Sequence, residues 1–244
     1  MNSISITGKM HPGFDNILTQ EAQDFILKLH QKFSRTRKLL LEKRAEIHSK
    51  ILLGEMPEFL KETESVRNGE WQADPVPEDL LDRRCEITGP AEAKMMINAL
   101  NSGATIFMAD LEDSITPNWF NQIQGQQNLI DAYERTLKFS STEGKEYRLN
   151  EEVLATLILR PRGWHLDEKH ILIDGEPACG ALVDAGLYLF HNIKRTLEKG
   201  TGPYFYLPKL ENHLEARLWD EVFTFSEDEL GVKIGTIKAT VLLE

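Results

Sequence analysis

The fold is most clearly indicated by residues 106–114, which have the sequence IFMADLEDS. An apolar run typical of a strand leads directly into three carboxylates, Asp110, Glu112 and Asp113. Residues two apart in an extended chain point the same way, so Asp110 and Glu112 are predicted to face one ligand together. Three neighbouring carboxylates repel one another, and a divalent cation or its bound waters would relieve that repulsion. The segment therefore favours a strand that ends at a Mg²⁺ site.

Capping of a helix N-terminus is an alternative explanation for part of this segment. Asp113 and Ser114 are residue types that cap helices, and they follow a strand at the point where the next helix is expected. Capping is a less natural role for Asp110 and Glu112, which lie on the strand end itself. The sequence leaves both explanations open for Asp113 and Ser114.

The rest of the chain repeats this pattern of a strand followed by a helix. The β-rich runs cover residues 84–88, 105–109, 155–159, 204–207 and 237–243. The helical stretches between them cover residues 91–100, 126–137, 181–197 and 214–230. Strands that alternate with helices are expected to be parallel, since each must return to the same edge through a crossover. The sheet is then either doubly wound or a barrel, and periodicity does not distinguish the two.

Polar residues at the carboxyl ends of the strands favour the barrel slightly. These residues are Asp110, Glu112, Arg160, Lys209 and Glu244. Several strand ends that contribute to one site are typical of a barrel, although open sheets also bind ligands at that edge.

Arg160, Glu244 and Lys209 each allow two roles. Arg160, in the segment LILRPRGWH at 157–165, is suited to hold a carboxylate or a developing oxyanion, or to form an ion pair with Asp110 or Glu112. A lone terminal acid such as Glu244 is usually solvated, yet beside the other carboxylates it is a candidate metal ligand. Lys209 is a better candidate for a partner of the acids than for a Schiff-base lysine.

Composition and local pattern restrict the class of protein. The 244 residues are 41% hydrophobic and carry a net charge of −11, so we expect a sizeable core and no nucleic-acid or membrane partner. Two cysteines without metal-ligand spacing, no apolar run long enough for a membrane helix and no signal segment predict a soluble, cytoplasmic protein. Residues 19–53 predict an amphipathic helix that covers part of a core, and the loop-rich stretch 54–77 predicts a domain boundary near residue 80.

Five ordered blocks resemble the malate synthase family in its shorter, A-type form. They are RRCEITGPAEAKMMINALNSGA at 83–104, MADLEDSITPNW at 108–119, RPRGWHLDEKH at 160–170, GPYFYLPKLE at 202–211 and GTIKATVLLE at 235–244. The resemblance implies an N-terminal helical clasp and linker over residues 1–79, followed by a (β/α)₈ TIM barrel. Residues 80–244 would supply about five of its eight strands. The barrel is therefore expected to be incomplete, with the later strands and a C-terminal domain beyond residue 244.

The resemblance also implies an active site and a reaction. In the family, acetyl-CoA condenses with glyoxylate bound to Mg²⁺, and the product is hydrolysed to malate and CoA in the glyoxylate cycle. Glu244 matches a direct Mg²⁺ ligand, whereas Asp110 and Glu112 match acids that act through metal-bound waters. Arg160 matches the catalytic arginine. The second metal ligand and the general base, an aspartate, would lie beyond this chain, so we expect the 244 residues alone to be inactive.

The sequence leaves two alternatives to a malate synthase. One is an acyl-CoA lyase of the citrate lyase β-subunit group, whose barrels also have an acidic strand end and an arginine, although the RCEITGP and YFYLPK blocks count against it. The other is a non-catalytic, partly folded fragment with an exposed strand edge at residues 237–243.

Overall fold

The computed structural model describes residues 3–56 and 58–243. Its strands are β1 (Ile4–Ile6), β2 (Glu86–Pro90), β3 (Ile106–Asp110), β4 (Lys138–Ser140), β5 (Glu146–Arg148), β6 (Thr156–Arg160), β7 (Asp167–Ile173), β8 (Glu176–Cys179), β9 (Tyr204–Tyr206) and β10 (Lys238–Thr240). Its α-helices are α1 (Phe14–Ile17), α2 (Gln20–Leu52), α3 (Glu64–Arg67), α4 (Ala93–Leu100), α5 (Trp119–Tyr133), α6 (Gly180–Glu198) and α7 (His213–Leu230). Two single 3₁₀ turns lie at Lys61–Thr63 and Glu78–Leu80.

The main sheet contains the five predicted parallel strands in the order β2-β3-β6-β9-β10, which is also their order along the chain. A doubly wound sheet reverses its strand order at a switch point, and the described strands do not. Within these residues the sheet stays open, with β2 and β10 as its edges. Arg83 nevertheless links the two edges, because its guanidinium donates to Glu86 on β2 and to Thr240 on β10 at 2.7 Å. The sheet is thus a curved part of a barrel.

Alternation along the strands separates two apolar layers. Phe107 and Phe205 face the helices and belong to the main core. Ile106, Ile158 and Tyr204 face the inside of the arc and form a smaller cluster, which is closed at its base by Leu80. Asp110 and Arg160 continue the inner positions of β3 and β6, so both side chains lie at the mouth of the arc.

Helix α2 covers the outside of this arc, as its amphipathic pattern predicts. Thr19 caps it by accepting a hydrogen bond from the Ala22 N–H at 3.2 Å. Its buried apolar side chains are Ala22, Phe25, Ile26, Leu29, Phe33 and Leu40. They pack on α6 and α7, where a Cβ at Gly186 would lie 3.0 Å from Leu29. Leu29 and Phe107 belong to one core cluster, so α2 packs on the same core as the sheet. The domain boundary near residue 80 stays a prediction.

Two smaller antiparallel sheets were not predicted. β1 pairs with β7, which forms a hairpin with β8, and β4 pairs with β5. The β7–β8 turn has positive φ at Asp174 and Gly175, 53° and 84°, a combination that Asp-Gly pairs favour. Helix α5 also begins seven residues earlier than predicted, where Asn118 accepts from the Asn121 N–H at 2.8 Å. None of the helices in the described part is long and apolar enough to span a membrane.

Candidate active site at the strand ends

The loop after β3 is organised by Asp110, whose side chain is fully buried. Its Oδ1 accepts from the N–H groups of Glu112 and Asp113 at 2.8 and 3.1 Å. Its Oδ2 accepts from the N–H and the hydroxyl of Ser114 at 3.1 and 2.9 Å. Asp110 thus closes a loop rather than capping a helix, because a short carboxylate on the strand end reaches the backbone of the following turn. The next helix, α5, is capped by Asn118, so neither Asp113 nor Ser114 is its N-cap.

Arg160 binds all three acids of this loop. β3 and β6 are adjacent, with Asp110 opposite Arg160 in register. The guanidinium Nη2 lies 2.6 Å from Glu112 Oε2 and 2.8 Å from Asp113 Oδ2, and Nη1 lies 3.5 Å from Asp110 Oδ2. Burial lowers the pKa of Arg160, but the surrounding carboxylates outweigh burial and raise it above its ordinary value. Arg160 therefore stays charged at the mouth of the arc.

Lys209, which follows β9, adds a second cation. Its Nζ lies 2.9 Å from Asp113 Oδ1 and 3.2 Å from Glu112 Oε1. The hydrogen bond with Asp113 raises the pKa of Lys209 and lowers the pKa of Asp113. The predicted role of Lys209 as a partner of the acids is confirmed. The strand-end cluster, Asp110, Glu112, Asp113, Arg160 and Lys209, thus contains three carboxylates and two cations from three neighbouring strands.

Two buried polar atoms of the strand-end cluster make no hydrogen bond, Glu112 Oε1 and Arg160 Nε. Glu112 Oε1 forms an ion pair with Lys209 Nζ at 3.2 Å, but the angles do not allow a hydrogen bond. This oxygen can therefore still accept one. A Cβ at Gly163 would lie 3.1 Å from Glu112 Oε1, so glycine keeps the space beside it open. A buried acceptor and a buried donor without partners are the groups that a polar ligand would satisfy.

The described residues meet the requirements of a Mg²⁺ site in part. No three His, Cys, Asp or Glu side chains within residues 3–56 and 58–243 are grouped to hold a metal ion. Asp110 uses its acceptor sites within its own loop, whereas Glu112 Oε1 accepts no hydrogen bond. Glu244, the predicted direct ligand, lies outside the described residues. The three metal assignments therefore stay predictions, and the geometry supports Glu112 most.

Arg162 lies beyond the end of β6 and points away from the strand-end cluster into a buried network. Its guanidinium binds Asp184 on α6 through two hydrogen bonds of 2.9 and 2.7 Å and contacts Glu168 at 2.8 Å. The other Glu168 oxygen accepts from the N–H of His170 and contacts its Nδ1. Sequence reasoning missed Asp184, although a single acid within the apolar run GALVDAGLYLF is itself a signal of a buried partner.

Two histidines of the described chain, His170 and His191, make contacts with neighbouring residues, and a third, His165, does not pack into the core. The His170 ring also lies 5.3 Å from that of Trp119. His191 Nε2 lies 2.9 Å from the carbonyl oxygen of Ile17, and His165 is exposed.

Two family models match this chain. The model for the malate synthase N-terminal domain matches residues 2–65, and the model for the malate synthase TIM barrel domain matches residues 156–244. The second match covers the strand that carries Arg160 and the loop that carries Lys209. These matches favour malate synthase over the acyl-CoA lyase alternative.

Curated relatives agree along the whole chain. Malate synthase from Myxococcus xanthus is 52% identical over 99% of this chain, and malate synthase from Dictyostelium discoideum is 51% identical over all of it. Glyoxysomal malate synthase from Candida tropicalis is 46% identical, also over all of this chain. The matched regions make up 44–45% of these three proteins, so the chain spans under half of their length. On both comparisons, the chain belongs to the malate synthase family.

Proposed function

We propose that these 244 residues supply the glyoxylate-binding part of a malate synthase active site. The reaction joins the methyl carbon of acetyl-CoA to the aldehyde carbon of glyoxylate, and water then cleaves the thioester to give malate and CoA. The observation that carries the proposal is Arg160, which is held at the mouth of the arc with a buried Nε that has no partner. Membership of the malate synthase family indicates the reaction in which Arg160 would take part.

Arg160 is suited to stabilise negative charge on oxygen. Loss of a methyl proton from acetyl-CoA places negative charge on the thioester oxygen, and the glyoxylate carboxylate carries charge throughout. A planar guanidinium donates to either group with fixed geometry, and a partly buried site makes that interaction stronger than in water. The carboxylates around Arg160 keep it charged and hold its plane in place.

Glu112 and Glu244 are the residues that we assign to Mg²⁺. When bound, Mg²⁺ supplies a Lewis acid that favours negative charge on the glyoxylate aldehyde oxygen. Glu112 Oε1, which accepts no hydrogen bond, would be available to a water of the ion, and Asp110 accepts from the Glu112 N–H and so fixes its backbone. Glu244 lies four residues after β10 along the chain, and its role as a direct ligand stays a proposal.

The test uses a completed chain, defined as residues 1–244 joined to the remaining C-terminal part of the Myxococcus xanthus malate synthase. Acetyl-CoA, glyoxylate and Mg²⁺ are supplied, and release of free CoA is followed. We expect glyoxylate-dependent CoA release that chelation of Mg²⁺ abolishes, and no turnover by the 244 residues alone, because the general base is expected beyond them.

The intact Myxococcus enzyme serves as the control. An inactive but folded completed chain, beside an active control, would overturn the proposed function. Robust glyoxylate-dependent turnover by the 244 residues alone would instead show that the general base lies within them.

The cellular compartment stays a prediction. We propose the cytoplasm, although the relatives from Candida tropicalis and Brassica napus carry names that place them in glyoxysomes. Cell fractionation with detection of the protein would decide between the two compartments.

A further inference from the structure

Arg44, near the C-terminal end of α2, makes a buried contact far from its own helix. Its Nε and Nη2 donate to the two carboxylate oxygens of Glu215 on α7 at 2.7 and 2.8 Å, and its Nη1 lies 3.1 Å from Glu211. The Glu215 side chain is 1% exposed. Hydrogen bonds to Glu215 raise the pKa of Arg44 above its ordinary value. The pair is therefore charged, specific in geometry and largely removed from water.

The same guanidinium reaches the backbone of Lys209. Arg44 Nη2 donates to the Lys209 carbonyl oxygen at 2.9 Å. Lys209 has φ of 49°, a left-handed conformation that costs energy for a residue with a long side chain and persists only when its surroundings hold it. Glu215 holds the next part of this loop, because its Oε2 accepts from the Glu211 N–H at 3.0 Å. Arg44 and Glu215 together fix the loop between β9 and α7.

We propose that Arg44 is a positioning residue for malate synthesis. It holds Lys209 in place and, through Lys209, the carboxylates beside Arg160. The inference rests on the proposed function of that site. Each link is a direct contact: Arg44 to the Lys209 carbonyl, Lys209 Nζ to Asp113 and Glu112, and Glu112 to Arg160 at 2.6 Å. The N-terminal helix thereby takes part in the site that lies on the barrel.

The link has a defined physical consequence. The Lys209 ammonium neutralises the loop acids only while its backbone keeps the left-handed conformation that aims the side chain at Asp113. Without the bond from Arg44, the loop can relax and Lys209 can turn toward water. Glu112 and Asp113 then share the single cation Arg160, which would draw the guanidinium toward the acids and away from the substrate.

The first experiment measures the chemical reactivity of Lys209 in the completed chain. Competitive labelling with acetic anhydride at mildly alkaline pH, read by mass spectrometry, reports each lysine separately. We expect Lys209 to react several-fold more slowly than the exposed Lys169, because its Nζ is held by Asp113 and Glu112 and is less accessible to the reagent. In Arg44→Ala, Lys209 should gain several-fold in reactivity while Lys169 does not change.

Arg35→Ala is the matched control, because Arg35 lies on an exposed position of the same helix. It should leave Lys209 unchanged. Arg35→Ala and Arg44→Ala each remove one positive charge from α2, so a gain confined to Arg44→Ala reports loss of position and not loss of charge. A general loss of structure would raise the reactivity of many lysines together, and an unchanged Lys209 in a folded Arg44→Ala protein would overturn the proposal.

Arg44→Lys is a second variant for the case in which Arg44→Ala does not fold. An ammonium keeps a charge beside Glu215 but cannot bind both carboxylate oxygens and the Lys209 carbonyl with one planar group. We expect raised Lys209 reactivity and a kcat lower by about 10- to 100-fold, with the KM for acetyl-CoA near that of wild type. Wild-type values of both would overturn the proposal. The labelling result needs no turnover, so it separates this proposal from failure of the proposed function.

Discussion

Arg160 and Arg162 are separated by one proline, yet they lie in two different environments. Arg162 lies in the buried network, where its Nε, Nη1 and Nη2 are all bonded to Asp184 or Glu168. Arg160 lies in the strand-end cluster, where its Nε has no partner and one of its acids, Asp113, is 54% exposed. Arg160 is the last residue of β6, whereas Arg162 lies beyond the strand, where alternation along the strand no longer sets the direction of its side chain.

The difference separates a structural ion pair from a binding group. A buried arginine whose three guanidinium nitrogens all donate to carboxylates stabilises its surroundings and offers a ligand no nitrogen without a partner. Acids hold Arg160 in place, but its Nε has no hydrogen-bond partner. Such an arginine can still donate a hydrogen bond to a ligand. Four predictions test this comparison, beginning with the largest expected effect.

Arg162→Met should cause the greatest loss of stability. The substitution leaves Asp184 in a buried site without its cation. Removal of one partner of such a pair costs about 3–5 kcal/mol of unfolding free energy. Urea unfolding of the completed chain, followed by tryptophan fluorescence, measures this loss. The double variant Arg162→Met with Asp184→Leu should recover part of it. A loss within about 0.5 kcal/mol, as for ordinary surface substitutions, would contradict the structural role of this network.

Arg160→Lys should have the opposite profile. The charge remains, so the urea midpoint should stay close to that of wild type. The planar fork is lost, and we expect kcat to fall about 10²- to 10³-fold, as when one donor to a developing oxyanion is removed. Circular dichroism and steady-state kinetics on the completed chain measure both quantities. Near wild-type turnover would show that Arg160 is only an ion-pair partner.

Glu112→Ala should change the Mg²⁺ requirement more than the affinity for acetyl-CoA. A residue that orients ligands of a metal typically contributes about 10- to 100-fold to metal affinity. Titration of activity against Mg²⁺ in the completed chain measures the change. Asp113→Ala is the matched control, since it also removes a partner of Arg160 and Lys209 but is not assigned to the metal. An equal Mg²⁺ requirement in wild type and Glu112→Ala would leave Glu112 with a structural role alone.

Glu168→Gln should have the smallest effect, and that effect depends on pH. Burial raises the pKa of Glu168, but Arg162 and the bonds from His170 outweigh it and leave the pKa below its ordinary value. An acid with a lowered folded-state pKa stabilises the protein above its unfolded pKa, about 4.3, and loses that contribution as pH falls through the folded value. The stability advantage of wild type over Glu168→Gln should therefore be constant near neutral pH and shrink in acid. An advantage that grew in acid would contradict the charged pair.

Much of the fold was predictable because its signals are local. The five parallel strands and the helices between them follow from apolar runs and helical periodicity, and the predicted strands differ from the observed ones mainly at their ends. The short strand β1 was not predictable in this way, because three residues carry little pattern and its partner β7 lies some 160 residues along the chain. The β7–β8 hairpin did carry a signal, the Asp174–Gly175 pair.

The candidate site was predictable to a similar extent. Asp110, Glu112, Arg160 and Lys209 were selected as strand-end residues, and the structure brings them together. Which of them is free for a ligand was not predictable. Asp110 turned out to close its own loop, because the hydrogen bonds of a carboxylate depend on the turn that follows it.

The amino-acid sequence by itself determined the kinds of elements, their order and the chemical groups at the strand ends, because helix and strand periods and side-chain types are local properties. Only the tertiary structure decided that the strands lie side by side in chain order, that Arg162 meets Asp184, and that Arg44 reaches Lys209. These pairings join residues far apart along the chain. Their geometry depends on how the crossovers pack around one core, which no local pattern encodes.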